Sequence, residues 1–193
     1  AEGLAGVSQA FNAAGPVAPH DGPTHVNDPD MLVVGIGWSE FAQGHPSMSL
    51  GPQRPDLTDT EQRAHFSLWA MLAAPLLAGN DVRSMDEGTR AILTNRDVIA
   101  VDQDPLVLQC LPLLNDPRVI VKPLADGAVA VALFNPDPGP VAIRTDTHAI
   151  GLAGGVCFTA RDLWAHTDTT TRGDVGQTVP AHGVAMMRVS RCR

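Results

Sequence analysis

Apolar and polar positions recur with different periods along this chain of 193 residues, and the changes of period mark its organisation. Leu4, Val7 and Phe11 recur at helical spacing, so Ala1 to Phe11 is predicted as a short helix. Met31 to Val34 is an apolar run that propensity alone reads as a strand. Gly35 to Asp56 carries Gly, Pro and Ser throughout and reads as a long loop, a length that in compact domains usually marks function or mobility. Thr58 with Glu61 forms a capping box opening a helix. In it Phe66, Trp69, Ala73 and Leu76 recur at helical spacing, and Leu68, Met71 and Leu72 widen the apolar face until the helix must be buried on most sides. Pro75 ends that helix, and Leu76 to Gly79 is short and apolar enough for a strand buried on both faces. A second capping box at Ser84 and Glu87 opens a helix through Met85, Ala91, Ile92 and Leu93 that stops near Asn95.

From Val119 the period falls to two. Val119 to Val121, an Asp126-Gly127 tight-turn signal, and the alternation of Val129, Val131 and Leu133 predict an antiparallel hairpin. Further β-prone runs at Val141 to Thr145, Val156 to Leu163 and Val184 to Val189, separated by Gly, Pro and Asp, predict an all-β sandwich. The alternation of strand and helix before it is that of a parallel α/β fold, but only two such units are present where a closed barrel has eight. The composition shift places a boundary near Leu111 to Asp116, giving domains at 1–112 and 113–193.

Charge narrows the partners. The net charge is −8 and Lys122 is the only lysine, with the arginines scattered, so no basic patch exists for nucleic acid or an anionic membrane surface. No apolar run reaches the length of a membrane span. Cys110, Cys157 and Cys192 lack metal-ligand spacing; Cys157 and Cys192 either pair or pack as buried thiols. The seven histidines are dispersed, and most read as surface or loop residues. No phosphate loop, H-E-x-x-H stretch or Ser-His-Asp arrangement is present, and neither a metal nor a cofactor is expected.

The stretch Asn27-Asp28-Pro29-Asp30-Met31-Leu32 flanks a proline with two carboxylates. Proline fixes its own φ and pushes Asp28 out of the helical region, so these acidic groups sit on a stiff turn. That stretch, followed by Leu57 to Met71 (LTDTEQRAHFSLWAM), Ala74 to Arg83 (APLLAGNDVR) and Asp97 to Pro105 (DVIAVDQDP), resembles glycoside hydrolase family 27, the α-galactosidase-like retaining enzymes. The resemblance covers residues 20–110 most strongly, and the blocks have the order and spacing of the last third of the family's barrel. Val26 departs from it, standing where the family usually has Trp.

The resemblance implies a fold: the last part of a (β/α)8 TIM barrel, about two strand-helix units, followed by the sandwich. It places a barrel strand around His25 to Asn27, with Asp28, Asp30 and Met31 at its carboxyl end. It implies that Asp30 and Met31 line a galactose pocket, with Asp28, Asn80 and Asp81 as structural support, and that Asp102 and Asp104 are turn and cap residues. The retaining mechanism needs a nucleophile and an acid/base about 5 Å apart. Neither segment has a match here, so no catalytic residue is expected in this chain, and a missing N-terminal barrel portion is expected to supply both. The substrate would be a terminal α-D-galactoside; a β-L-arabinopyranoside or α-N-acetylgalactosaminide differs at positions read mostly by residues upstream. Trp38, Phe41 and His45 either stack on a sugar ring or anchor their loop. Relatives of this kind are commonly exported, so secretion is expected. The alternative is a non-catalytic carbohydrate-binding or interaction module.

Overall fold

Helix α3 (Asp59–Leu72) lies between the two halves of the chain and is buried by both. The computed structural model describes residues 2–14, 22, 25–44, 46, 55–152 and 157–192; Ala1, His45 and Val156 lie outside them. The predicted capping box is present. Thr58 Oγ1 accepts from Glu61 N at 3.3 Å and Glu61 Oε2 accepts from Thr58 N at 2.8 Å, which satisfies two of the donors a helix start leaves open. Glu61 and every residue from Ala64 to Leu72 are buried. The helix ends ahead of Pro75, at Ala73, whose left-handed backbone (φ 54°) lets Ala73 N and Ala74 N turn back to Ala70 O and Trp69 O.

On one side of α3 lies the barrel part. Helix α1 (Glu2–Ala14) packs Val7 and Phe11 into the same core. Leu32 and Ala78 form a parallel bridge, Leu32 N donating to Leu77 O at 2.8 Å and Gly79 N to Leu32 O at 3.0 Å. This corrects the strand expected at His25 to Asn27. His25 instead closes a tight antiparallel bridge with Gly22, Asn27 is tied through its side chain to Gln109, and the parallel pairing falls in the apolar run Met31 to Val34. Helix α2 (Trp38–Gly44) occupies part of the expected loop, its first N–H held by Asp56 Oδ1 at 2.6 Å.

Helix α4 (Glu87–Leu93) is capped by Asp86, not Ser84, because the Asp86 carboxylate takes Thr89 N at 2.6 Å, whereas Ser84 stays in the turn before it. Asn95 does not merely stop α4. It caps a further helix that periodicity missed, α5 (Arg96–Asp102), by accepting from Asp97 N and Val98 N. Asp102 therefore ends a helix, while Asp104 is the turn residue expected, accepting from Leu106 N and from Ala125 N.

On the other side of α3 is the sandwich, antiparallel throughout. Strands β1 (Leu111–Pro112), β2 (Val119–Pro123), β3 (Val129–Phe134), β8 (Val184–Arg191), β5 (Phe158–Asp162) and β6 (Thr167–Thr171) form a sheet in that spatial order, and β4 (Val141–Asp146) pairs with β7 (Asp174–Val179). Strands β6 and β7 were not predicted, since their Thr-, Asp- and Gly-rich text is mostly exposed and carries no apolar alternation. Strand β3 is buried along its whole length. Ala130, Ala132 and Phe134 share a core with α3, while Val129, Val131 and Leu133 pack with Ile143 and Val175 of the smaller sheet. Cys157 and Cys192 are disulfide-linked, and Cys110 is buried.

Polar bonds fix the sandwich against α3 and α5. Trp164 Nε1 donates to Ser67 Oγ at 3.0 Å, Asn95 Nδ2 to Leu163 O at 2.9 Å, and Arg161 pairs with Asp97 at 2.9 Å. Lys122 is fully buried on β2 and donates to Ala70 O at 3.0 Å, setting a cation at the carbonyl end of α3 where the helix dipole favours one. Burial pushes the Asp102 carboxyl up to about 7 against the pull of nearby Lys122, and its Oδ1 is buried without a hydrogen-bond partner. A carboxyl raised in the fold stabilises it fully below its unfolded value, and that contribution is lost as pH rises through the folded value. The window therefore runs from 3.8 to about 7. Asp102→Asn, which cannot ionise, should flatten the loss of stability across this window and raise Tm above it; thermal unfolding followed against pH checks the slope, and an unchanged slope counts against the assignment.

Candidate functional site

The acidic stretch folds into a turn held by its own side chains. Asp28 Oδ1 accepts from Asp30 N at 2.9 Å, and Asp30 Oδ1 accepts from Met31 N at 2.7 Å. Asp30 has φ 87°, a conformation costly for a residue with a Cβ, which persists only where the surroundings impose it. Both carboxylates are exposed and Met31 is half-buried. Gly79 on the adjoining segment explains how close Met31 comes. A Cβ there would lie 2.6 Å from Leu32 O and 3.1 Å from Met31 Sδ, so only glycine admits this pairing.

The imposing surroundings are one stripe of α3. Gln62, His65 and Trp69, spaced as i, i+3 and i+7, reach the backbone of residues 30–35 in succession. Gly35 N donates to Gln62 Oε1 at 2.9 Å, Val33 N donates to His65 Nε2 at 3.1 Å, and Trp69 Nε1 donates to Asp30 O at 2.8 Å. The helix thus clamps the turn at its carbonyl and the following segment at alternate amides. This stripe is legible in the sequence as three side chains with polar atoms at one helical spacing within an apolar helix, and the pattern reading passed over it.

His65 is neither a surface nor a loop residue, unlike what is expected of most of the histidines. It is buried against Trp69 with ring centroids 4.1 Å apart, and burial pushes its pKa down to about 3. The ring is neutral, with Nε2 free to accept from Val33 N. A base whose folded value is depressed stabilises the fold above the unfolded value of 6.5, and this is lost as pH falls toward about 3. His65→Gln keeps an acceptor for Val33 N without titrating. It should reduce the acid-side loss of stability across that window, as read by denaturant unfolding at several pH values; an unaltered acid limb would contradict this.

Asn80 and Asp81 follow directly on the paired Ala78–Gly79 segment. Asp81 accepts from Arg83 N at 3.0 Å and pairs with the Arg83 guanidinium at 2.8 Å, an exposed turn in which these hydrogen bonds hold its carboxyl below the usual range. Asn80 Oδ1 is buried without a partner. Among the described residues no group of His, Cys, Asp or Glu could hold a metal ion. What the turn offers is acceptors: carboxylate oxygens on a rigid backbone beside a thioether, suited to binding hydroxyl groups.

A parallel bridge backed by α3, an acidic turn beside that bridge, and an antiparallel sandwich docked on the same helix make a partial α/β unit followed by a carboxyl-terminal β-domain. Residues 6–104 match the family model described as Alpha galactosidase A, and residues 115–189 match that of the Alpha galactosidase C-terminal beta sandwich domain; the chain belongs to the α-galactosidase family, glycoside hydrolase family 27. It is 40% identical over 171 residues to an α-galactosidase of Oryza sativa subsp. japonica, covering 88% of this chain and 37% of that protein. It is 35% identical over 181 residues to α-galactosidase A of Cellvibrio japonicus, covering 88% of this chain and 40% of that protein.

Among solved structures, α-galactosidase I of Mortierella vinacea superposes with a TM-score of 0.81 at 25% identity, over 96% of this chain and 44% of that one. A family 27 β-L-arabinopyranosidase of Geobacillus stearothermophilus superposes with a TM-score of 0.82 at 25% identity, over 98% and 42%. The chain spans well under half the length of these relatives.

Proposed function

We propose that this chain is the carboxyl-terminal part of a retaining α-galactosidase that releases terminal α-D-galactosyl residues from oligosaccharides or glycoconjugates. The observation that carries the reading is the clamped turn, which holds Asp30 in a strained conformation with its carboxylate exposed beside Met31. In this reading Asp30 accepts hydrogen bonds within the sugar site, and Met31 packs near the ring. Asp28 braces the turn, and Asn80 and Asp81 support the neighbouring segment. The nucleophile and the acid/base come from preceding polypeptide, which completes the barrel against a side where Val26 and Leu77 are 46% and 56% exposed. Chemistry then follows the two-carboxylate course: glycosyl transfer to the nucleophile, then hydrolysis with retention. Asp30 adds negative charge near that pair, which favours the protonated acid.

We place the domain boundary between residues 112 and 113, a reading supported by where the two family models match. The Cys157–Cys192 disulfide supports export to an oxidising compartment. The likeness to the arabinopyranosidase structure favours one second reading, a β-L-arabinopyranoside substrate, and relative kcat/KM on the two aryl glycosides separates it from the first.

The test uses the protein that carries this chain together with its preceding barrel. It should hydrolyse an aryl α-galactoside, with Asp30→Ala lowering kcat/KM by about 10- to 100-fold, the loss of a hydrogen bond to a charged group. The isolated chain should turn over none; clear turnover by it that survives Asp30→Ala would refute the pocket assignment.

A further inference from the structure

A depression opens on the segment that follows the acidic turn. Its cavity, of about 270 Å³, is walled by Val33, Ile36, Trp38, Phe41 and Leu57 and edged by Asp56. Val33 is three residues past Asp30, on the segment that α3 clamps, so the cavity begins about 10 Å of extended chain from that carboxylate. The Trp38 and Phe41 rings lie 6.4 Å apart and tilted by 33°, forming one bent aromatic wall. Asp56 uses Oδ1 to hold Trp38 N at 2.6 Å. Its Oδ2 faces the glycine at position 37, where an added Cβ would lie 2.8 Å away, so the approach of this carboxylate depends on that glycine. Ile36, Gly37, Asp56 and Leu57 also wall an adjoining polar cleft of about 470 Å³, so Asp56 stands where an apolar surface meets a wet one.

Aromatic faces beside one fixed carboxylate match a pyranose, whose axial C–H face is apolar and whose rim is hydroxyl. Mostly apolar walls with a few placed polar groups are the general pattern of small-ligand sites. We infer that this cavity is a distal subsite for the leaving-group sugars of an α-galactosyl oligosaccharide, with Trp38 and Phe41 under a sugar face and Asp56 accepting from its hydroxyls. The inference rests on the galactoside reading above and adds which residues grip an oligosaccharide beyond its terminal galactose. The structure gives Trp38 its ring contact and its amide bond to Asp56, so both residues are set in place before a ligand arrives.

The test uses the complete protein with its barrel. Steady-state kinetics on methyl α-galactoside, which has no leaving-group sugar, are compared with those on an α-galactosyl oligosaccharide of three or more units. Trp38→Ala and Asp56→Asn should each raise KM for the oligosaccharide about tenfold and leave methyl α-galactoside within about twofold, while Trp38→Phe should restore most of the loss. Calorimetric binding of galactose and of the oligosaccharide to the same variants gives a readout independent of turnover. Selective weakening of the oligosaccharide supports the subsite even if no galactoside is hydrolysed, an outcome that would overturn only the activity. Equal losses on long and short ligands, or no loss on either, overturn the subsite.

Discussion

A helix buried on nearly every side needs partners for the polar groups it takes inside, and α3 finds most of them on the segments packed around it. Gln62, His65 and Trp69 hold residues 30–35 on one side. Ser67 takes Trp164 Nε1 on the other, and Ala70 O receives the only lysine of the chain. A buried donor or acceptor left unmade costs about 1–3 kcal/mol, so these bonds offset much of the cost of burying α3, although His65 Nδ1 is left without a partner. The same bonds that make the helix tolerable inside the protein fix the acidic turn relative to the sandwich. Site geometry and domain packing are thus one constraint.

The joint between the halves is accordingly charged as well as apolar. Glu61 is the N3 residue of the capping box and also pairs with His182 at 3.1 Å. Burial would raise its carboxyl, but hydrogen bonds from Thr58 and His182 outweigh it and hold the pKa down. Asp97 likewise stays below its usual range despite burial, because His166 and Arg161 both reach it. Pairs of this kind contribute little when exposed and matter more where partly desolvated, and here each spans a helix of the barrel part and the sandwich. They define the angle at which one half meets the other, while the apolar cluster running from Phe66 to Met186 provides the bulk of the driving force.

For function the consequence is a turn with little freedom. Asp30 sits in a conformation that free peptide avoids, held by Asp28 from one side, by its own bond to Met31 N, and by Trp69 from beneath. Rigid placement of acceptors before ligand arrives avoids ordering costs on binding. The flanking segment to Asp56 carries the aromatic wall of the neighbouring cavity, so in the proposed reading terminal sugar and leaving group would meet one stretch of chain.

Much of this was legible in the one-dimensional text. The capping box of α3, its all-round apolar character, the alternation of β3 and the Asp126-Gly127 turn each follow from local spacing that any fold must respect. The polar strands β6 and β7 and the helices α2 and α5 were not, because what orders them is partners far away in sequence. Thr171 and Asp174 belong to strands that exist only by pairing with β5 and β4, and α5 is set by Asn95 bridging to Leu163. The sequence by itself determined which residues carry acid on a proline-stiffened turn, since that depends on neighbours one or two positions off. Where the parallel pairing falls, which way Asp30 faces, that His65 is buried and neutral, and that Cys157 meets Cys192 were decided only by the tertiary structure, because each is a matter of groups brought together across tens of residues.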